Sequence, residues 1–356
     1  MTMGLGLSTS VSNGVIGVGY ASDEAIVGDT HELSSAYVNL PQNMVAEGII
    51  NTNAYSLWLN DLDSNTGTIL FGGIDTAKYK GDLTRIQVQP TQPDIFTAFQ
   101  VYMTSLRATS SSGSDALSSR SFPISAVLDS GTTLTYLPDD IAEQAWKEAG
   151  AVYEPDAGVA LVPCSLQNSG GFFTYGFAGP NGPQINVSMS ELVVAFAPEG
   201  RSVAFPSGVY QGQTACTFGI QNTSSDPFLL GDTFLRSAYV VYDLINNEVA
   251  IAPTDFNATG SNVVAFASSG APIPSATLAP NQNQATQSPA FTTPAFAAEP
   301  GFSDTASGTA GGSGGSSSSS KNASPGLPPT FDMAQLAVLG AAMALTLTGS
   351  GLFMLF

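Results

Sequence analysis

Residues 126–134 read Ala126-Val127-Leu128-Asp129-Ser130-Gly131-Thr132-Thr133-Leu134. A short apolar run feeds an acid that passes at once into a Ser-Gly-Thr-Thr turn. That pattern sets the carboxylate of Asp129 at a strand end, among backbone N–H groups and the hydroxyls of Ser130, Thr132 and Thr133. Gly131 lets the chain turn sharply and lets the donors approach. Hydrogen bonds favour the ionised acid, whereas apolar burial and a second nearby carboxylate favour the neutral one. A site poised between those pulls can hold one proton between two acids and activate a water between them. The plainer reading is an Asx-type turn at a strand end, which Asp-Ser-Gly also makes readily.

Composition narrows the choice. Nine Lys and Arg face 28 Asp and Glu, a net charge of −19. Nucleic acid is therefore not an expected partner, because phosphates are bound through clustered basic residues. His31 is the single histidine, which excludes His-rich metal sites and any Ser-His-Asp triad remote from it. It lies in a polar Asp-Thr-His-Glu stretch and reads as solvated. The acids are scattered rather than set at ligand spacing, so no metal is expected.

Up to about residue 256 the chain consists of short apolar runs punctuated by Gly, Pro, Asn and Asp. Residues 55–59, 68–71, 85–88 and 239–242 are examples, and they predict a mainly β protein. One helix is expected over 139–149, with Ile141, Ala145 and Trp146 on a single face, and another near 43–48. Trp58 and Trp146 read as packing residues.

The C-terminal part changes character. Residues 257–324 are rich in Ser, Thr, Ala, Gly and Pro, and are expected to form a disordered stalk. Residues 336–356 carry no charge and are long enough to cross a bilayer. The order of small residues at 322–324, a spacer over 325–335 and that tail matches a glycosylphosphatidylinositol (GPI) attachment signal better than a spanning helix. Asn322 is the candidate attachment residue, with Ser320 and Gly315 as alternatives. Sequons at Asn186, Asn222, Asn257 and Asn322 fit a surface glycoprotein. Cys164 and Cys216 read as a disulfide in a secreted chain and as buried thiols in a cytosolic one; the secretory features favour the disulfide.

Several stretches together resemble the pepsin-like aspartic proteases, and within them the fungal GPI-anchored, yapsin-like branch. SAVLDSGTTLTYLP (125–138) is similar to the family's second active-site loop. FLLGDTFLRSAYVVYDLINNEVAIA (228–252) is similar to its closing segment, in which Leu229-Leu230-Gly231 lie beneath that loop. NGVIGVGY (13–20) is similar to the matching glycine segment of the first lobe, and GTILFGGIDTAKYKGDL (67–83) to the hairpin that follows it. Cys164 and Cys216 match the disulfide of the second lobe. The resemblance implies an all-β, bilobal fold. Residues 1–88 would be the remainder of the first lobe and the start of the interlobe sheet, 89–256 a complete second lobe, 257–324 the stalk and 325–356 the anchor signal.

It also implies an aspartic endopeptidase acting on peptide or protein substrates without cofactor, a monomer at full length, held at the cell surface by a lipid anchor. Asp129 would be the second catalytic aspartate. Thr132 would bond its carboxylate, Ser130 would help interlock two active-site loops, and Thr133 would border the cleft. The family's first aspartate, in an Asp-Thr-Gly-Ser loop, and its flap tyrosine precede the NGVIGVGY segment. Neither they nor a signal peptide can be found here, so the chain is expected to be a fragment with little activity of its own. The competing expectation is an inactive peptide-binding or cell-wall glycoprotein on the same fold.

Overall fold

The computed structural model describes residues 14–64, 66–196, 201–288 and 291–303. Strands dominate, in agreement with the punctuated apolar runs.

A six-stranded sheet runs in the order Thr68–Phe71, Ala54–Trp58, Ala238–Asp243, Glu248–Pro253, Leu83–Gln87, Ala276–Leu278. Its central strand is covered on both sides. Tyr239 and Val241 pack with Trp58, Ile74 and Phe266 on one face, while Val240 and Tyr242 join the larger core on the other. Successive side chains alternate between faces, and both faces are dry, so this segment reads as continuously apolar rather than alternating.

A second sheet carries the candidate site. Its order is Gln184–Ser188, Phe172–Phe177, Gln100–Thr109, Ile124–Leu128, Phe228–Leu230, Thr135–Pro138, Ile220–Thr223, with Ser114–Leu117 hairpinned onto Gln100–Thr109. A smaller sheet holds Cys216 in the strand Ala215–Phe218, beside Val159–Pro163. Cys164 and Cys216 form a disulfide, with 4.9 Å between their Cα atoms.

The helix Asp139–Ala149 has its bounds where the sequence put them. Asp139 and Asp140 in its first turn and Lys147 in its last suit the helix dipole, and Gly150 ends it in a left-handed conformation. Ile141, Ala145 and Trp146 are buried, and the Trp146 indole donates to the Ile220 carbonyl at 2.8 Å. The other expected helix starts earlier, at Leu40–Ala46. There Asn39 and Gln42 make a reciprocal capping box that the sequence reading overlooked. His31 is exposed and closes a short helix, Ala25–Thr30.

The expectation of a stalk beginning at residue 257 is corrected. Residues 257–288 and 291–303 form a strap laid over both sheets. Val263–Ala265 pairs with Gly73–Asp75, and Ala276–Leu278 runs parallel to Leu83–Gln87. Phe266, Ile273, Ala279, Ala298 and Phe302 are buried along it. Such anchors are too far apart to make a periodic pattern, but each fills a slot in a surface built by other segments. The anchor signal, Asn322, Ser320 and Gly315 lie outside the described residues. Among the described residues no helix is long and apolar enough to cross a membrane.

Candidate active site

Ile124–Leu128 ends directly at Asp129, and the turn after it returns through Thr135–Pro138. Phe228–Leu230 is inserted between these two strands, parallel to the first and antiparallel to the second. The Asp129 N–H donates to the Leu230 carbonyl at 3.1 Å, so the acid is fixed where the inserted strand ends. Beyond it, the Asp232 N–H donates to Thr132 O at 2.8 Å and the Thr233 N–H to Thr133 O at 3.0 Å. Gly231 lies so close under the turn that a Cβ there would collide with the carbonyl oxygens of Thr132 and Leu134. The glycine is required by that close approach, with no side chain able to fit.

The half-buried Asp129 carboxylate receives one donor on each oxygen. The Gly131 N–H reaches Oδ1 at 2.9 Å, and the Thr132 hydroxyl reaches Oδ2 at 2.6 Å. The expected ring of three hydroxyls is thus reduced to one. Ser130 is exposed and Thr133 half-buried, and neither hydroxyl bonds the carboxylate. Thr132 is buried and held from behind through its own carbonyl, which makes it a rigid donor. Each oxygen retains acceptor capacity for a water or a substrate proton.

Two further acids feel the charge of Asp129, and sequence reading singled out neither. Burial raises Asp232 to about 7, with Asp129 adding to the rise and Arg236 opposing it. Asp23 is raised to about 6 by the protein packed around its carboxyl and by Asp129, although part of its surface is exposed. The segment bearing Asp23 is tied down beside the site. Tyr20 packs on Phe96 and Phe99, and the Phe99 carbonyl accepts from the Leu128 N–H at 3.1 Å. Below lie Tyr55 and Tyr242, stacked at 4.8 Å, both hydroxyls held neutral by burial and by the same negative charge. Asp23 and Asp232 thus keep their protons at weakly acidic pH beside Asp129, and neighbouring carboxyl groups that do not all ionise can share a proton.

The two echoing glycine segments have opposite environments. Leu230 is fully buried between strands, whereas Val15 and Ile16 are 61% and 57% exposed and belong to no strand. A Cβ on Gly17 would touch nothing within 4 Å. Among the described residues no strand–Asp–turn unit flanks residues 15–17 as Ile124–Leu128 and Thr135–Pro138 flank 228–230.

This inserted-strand architecture around Asp129 coincides with a match of residues 3–254 to the eukaryotic aspartyl protease model. The chain belongs to the eukaryotic aspartyl protease family. Over 277 residues it is 43% identical to the probable aspartic-type endopeptidase opsB of Aspergillus fumigatus, covering 78% of this chain and 54% of that protein. It is 41% identical over 279 residues to the probable aspartic-type endopeptidase OPSB of Arthroderma benhamiae, with the same coverage. Secreted aspartic protease 8 of Candida albicans is 34% identical over 254 residues, which is 71% of this chain and 52% of that protein. The chain thus spans about half the length of the curated relatives it matches.

Elsewhere in this family member, the sequons differ in what their side chains do. Asn186 is exposed on the strand Gln184–Ser188, and its side-chain oxygen accepts from the Thr174 hydroxyl at 2.7 Å. The Asn222 amide nitrogen is committed to Asp139 at 2.7 Å. Asn257 is exposed, with φ at 59°, a left-handed conformation that Asn tolerates. Among the described residues no group of His, Cys, Asp and Glu is arranged to hold a metal ion.

Proposed function

We propose that the protein is an aspartic-type endopeptidase that hydrolyses peptide bonds with a water activated between Asp129 and a second aspartate. The observation that carries this reading is the Asp129 carboxylate. It is pinned by Gly131 and Thr132 at the end of an inserted strand, with acceptor capacity left on both oxygens. In this mechanism Asp129 accepts the proton of the attacking water. Its partner carboxyl donates a proton to the scissile carbonyl oxygen, and the departing amine then takes up a proton. Two carboxylates at close range cannot both ionise, so one proton resides on the pair.

The second aspartate of the pair belongs, in this reading, to a loop supplied by a polypeptide as long as the relatives, which are about twice the matched length. Such a loop would stand over residues 15–17 as the Asp129 turn stands over Leu229-Leu230-Gly231. It would cover the exposed Val15 and Ile16. The names of the relatives, one of them a secreted protease, support a secretory route. The tail pattern supports a GPI anchor at Asn322, the yapsin-like branch and a cell-surface glycoprotein.

The test is cleavage of an unstructured protein at acid pH by the protein produced at the length of its relatives, beside its Asp129→Asn variant. We expect activity in the first and a loss of at least about a thousandfold in the second, the loss of an essential acid–base group. Activity that survives the substitution would refute the assignment of Asp129. A folded long form that cleaves nothing would favour a peptide-binding role.

A further inference from the structure

The strap crosses the second lobe over an acid cluster remote from Asp129. Asp115, 7% exposed on Ser114–Leu117, receives three backbone N–H groups of the strap. Ala295 reaches one carboxyl oxygen at 3.1 Å, while Ala297 and, at 3.2 Å, Ala298 reach the other. Around this nest, Ser110 donates to the Ala298 carbonyl at 2.5 Å and Ser112 to that of Ala297 at 2.7 Å. The Thr292 N–H donates to the Ser118 hydroxyl at 2.9 Å. Phe302 then seats its ring against Phe173, 5.4 Å between centroids, over the bare backbone of Gly171.

Beneath the nest is Glu148, on the helix Asp139–Ala149, with no exposed surface and no well-formed hydrogen bond on either carboxyl oxygen; the Glu299 N–H is the donor that approaches it. Asp115 faces it from the neighbouring strand and Glu299 from the strap. Of the other strands on this helix, Thr135–Pro138 and Ile220–Thr223 bring only Tyr136 as a titratable group, while Val152–Glu154 stacks Tyr153 on Trp146 and carries Glu154. Lys147 is engaged elsewhere, 3.7 Å over the ring of Phe296, and Asp139 and Asp140 are bonded by Asn222 and Ser119. Tyr210 caps the helix end by donating to the Gly150 carbonyl at 2.9 Å, and it too borders Glu299.

We propose that residues 291–303 are a pH-released clasp, docked on the Asp115 carboxylate while Glu148 carries a proton and freed when Glu148 ionises. A protonated Glu148 can donate to Asp115, which leaves the Asp115 anion available to the strap amides. An ionised Glu148 instead places a second buried negative charge against it, with the exposed, solvent-screened Glu299 nearby. Burial, followed by the Asp115 charge, raises Glu148 from 4.5 to about 7, while the Glu299 backbone N–H pulls weakly the other way. An acid raised in the docked state favours docking fully below its solvated value. That advantage is lost as pH climbs through the raised value, about tenfold per pH unit in between. Docking therefore weakens between mildly acid and neutral pH, by at most roughly two orders of magnitude, the limit reached when Glu148 is fully solvated once the strap leaves. The consequence is a tether to the C-terminal residues that is held rigid in acid and loosened near neutrality.

Hydrogen exchange on the full chain, followed by mass spectrometry between pH 4.5 and 7.5, tests this. Peptides over 291–303 are read against 238–243 in the buried central strand, which cancels the intrinsic pH dependence of exchange. We expect relative protection of 291–303 to fall on going to neutral pH in the wild type, by at least about threefold and at most about a hundredfold. In Glu148→Gln, whose amide can still donate to Asp115, protection should stay high throughout. A flat wild-type profile, or parallel loss in wild type and Glu148→Gln, overturns the proposal. Should Glu148→Gln fail to fold, the wild-type profile decides alone.

Discussion

Replacing Gly231 with alanine puts a methyl group into the narrowest gap beneath the Asp129 turn. The new Cβ would lie far inside contact distance of the Thr132 and Leu134 carbonyl oxygens, both fixed backbone atoms. Neither can yield without moving the turn, so the Thr132 O···H–N Asp232 and Leu230 O···H–N Asp129 bonds, at 2.8 and 3.1 Å, are strained or lost. Overpacking of a filled site costs about 1–3 kcal/mol. Each buried polar group left without its partner adds about 1–3 kcal/mol. The sum is about 4 kcal/mol or more, a large part of a typical folding free energy of about 5–15 kcal/mol. For a chain of this size it amounts to a fall in melting temperature of about 10 °C. The internal comparison, made in the 356-residue chain, is Gly17→Ala, in the echoing segment, where an added Cβ meets nothing. It should change stability by less than about 0.5 kcal/mol, as ordinary exposed substitutions do. Thermal denaturation of both variants at pH 5, followed by near-ultraviolet circular dichroism, makes the measurement. Equal tolerance at the two glycines would refute the close-approach argument. So would a large loss at Gly17 alone.

Two other outcomes follow from the same geometry. Reduction of the Cys164–Cys216 disulfide, or Cys164→Ser with Cys216→Ser, should destabilise the protein by about 2–5 kcal/mol. Denaturant titration with and without reductant reads this directly, and an unchanged midpoint would contradict it. Asp232, raised from 3.8 to about 7, should make stability decline with pH. Its neutral form suits the folded site, so the benefit is complete below about pH 3.8 and gone once pH passes about 7. Asp232→Asn should flatten that decline across pH 4–8 in a melting-temperature series, and an unchanged slope would show that other groups carry it.

Over residues 257–303 the stalk expectation failed, for a physical reason that also explains the clasp. Residues 257–303 contain few aliphatic residues, and Phe266, Ile273 and Phe302 are separated by long polar stretches. Seen alone, they could not offset the entropy of ordering the segment between them. Sheet edges at Gly73–Asp75 and Leu83–Gln87 supply backbone partners, and Asp115 supplies an anion for three more N–H groups. Those partners come from residues 150 and more positions away, beyond the reach of any local pattern.

From amino-acid order alone came the strand–acid–turn at Asp129, the helix Asp139–Ala149 and the mainly β class. Each rests on interactions within a few residues: the alternation of a strand, the charges of a helix terminus, the turn chemistry of Ser-Gly-Thr. Folding in three dimensions decided which donors reach Asp129, that Asp23 and Asp232 share its field, and that a Gly-, Ser- and Pro-rich segment is bound rather than free. A carboxylate's partners and its proton affinity depend on burial and on charges brought together from distant parts of the chain, and these exist only once the chain is packed.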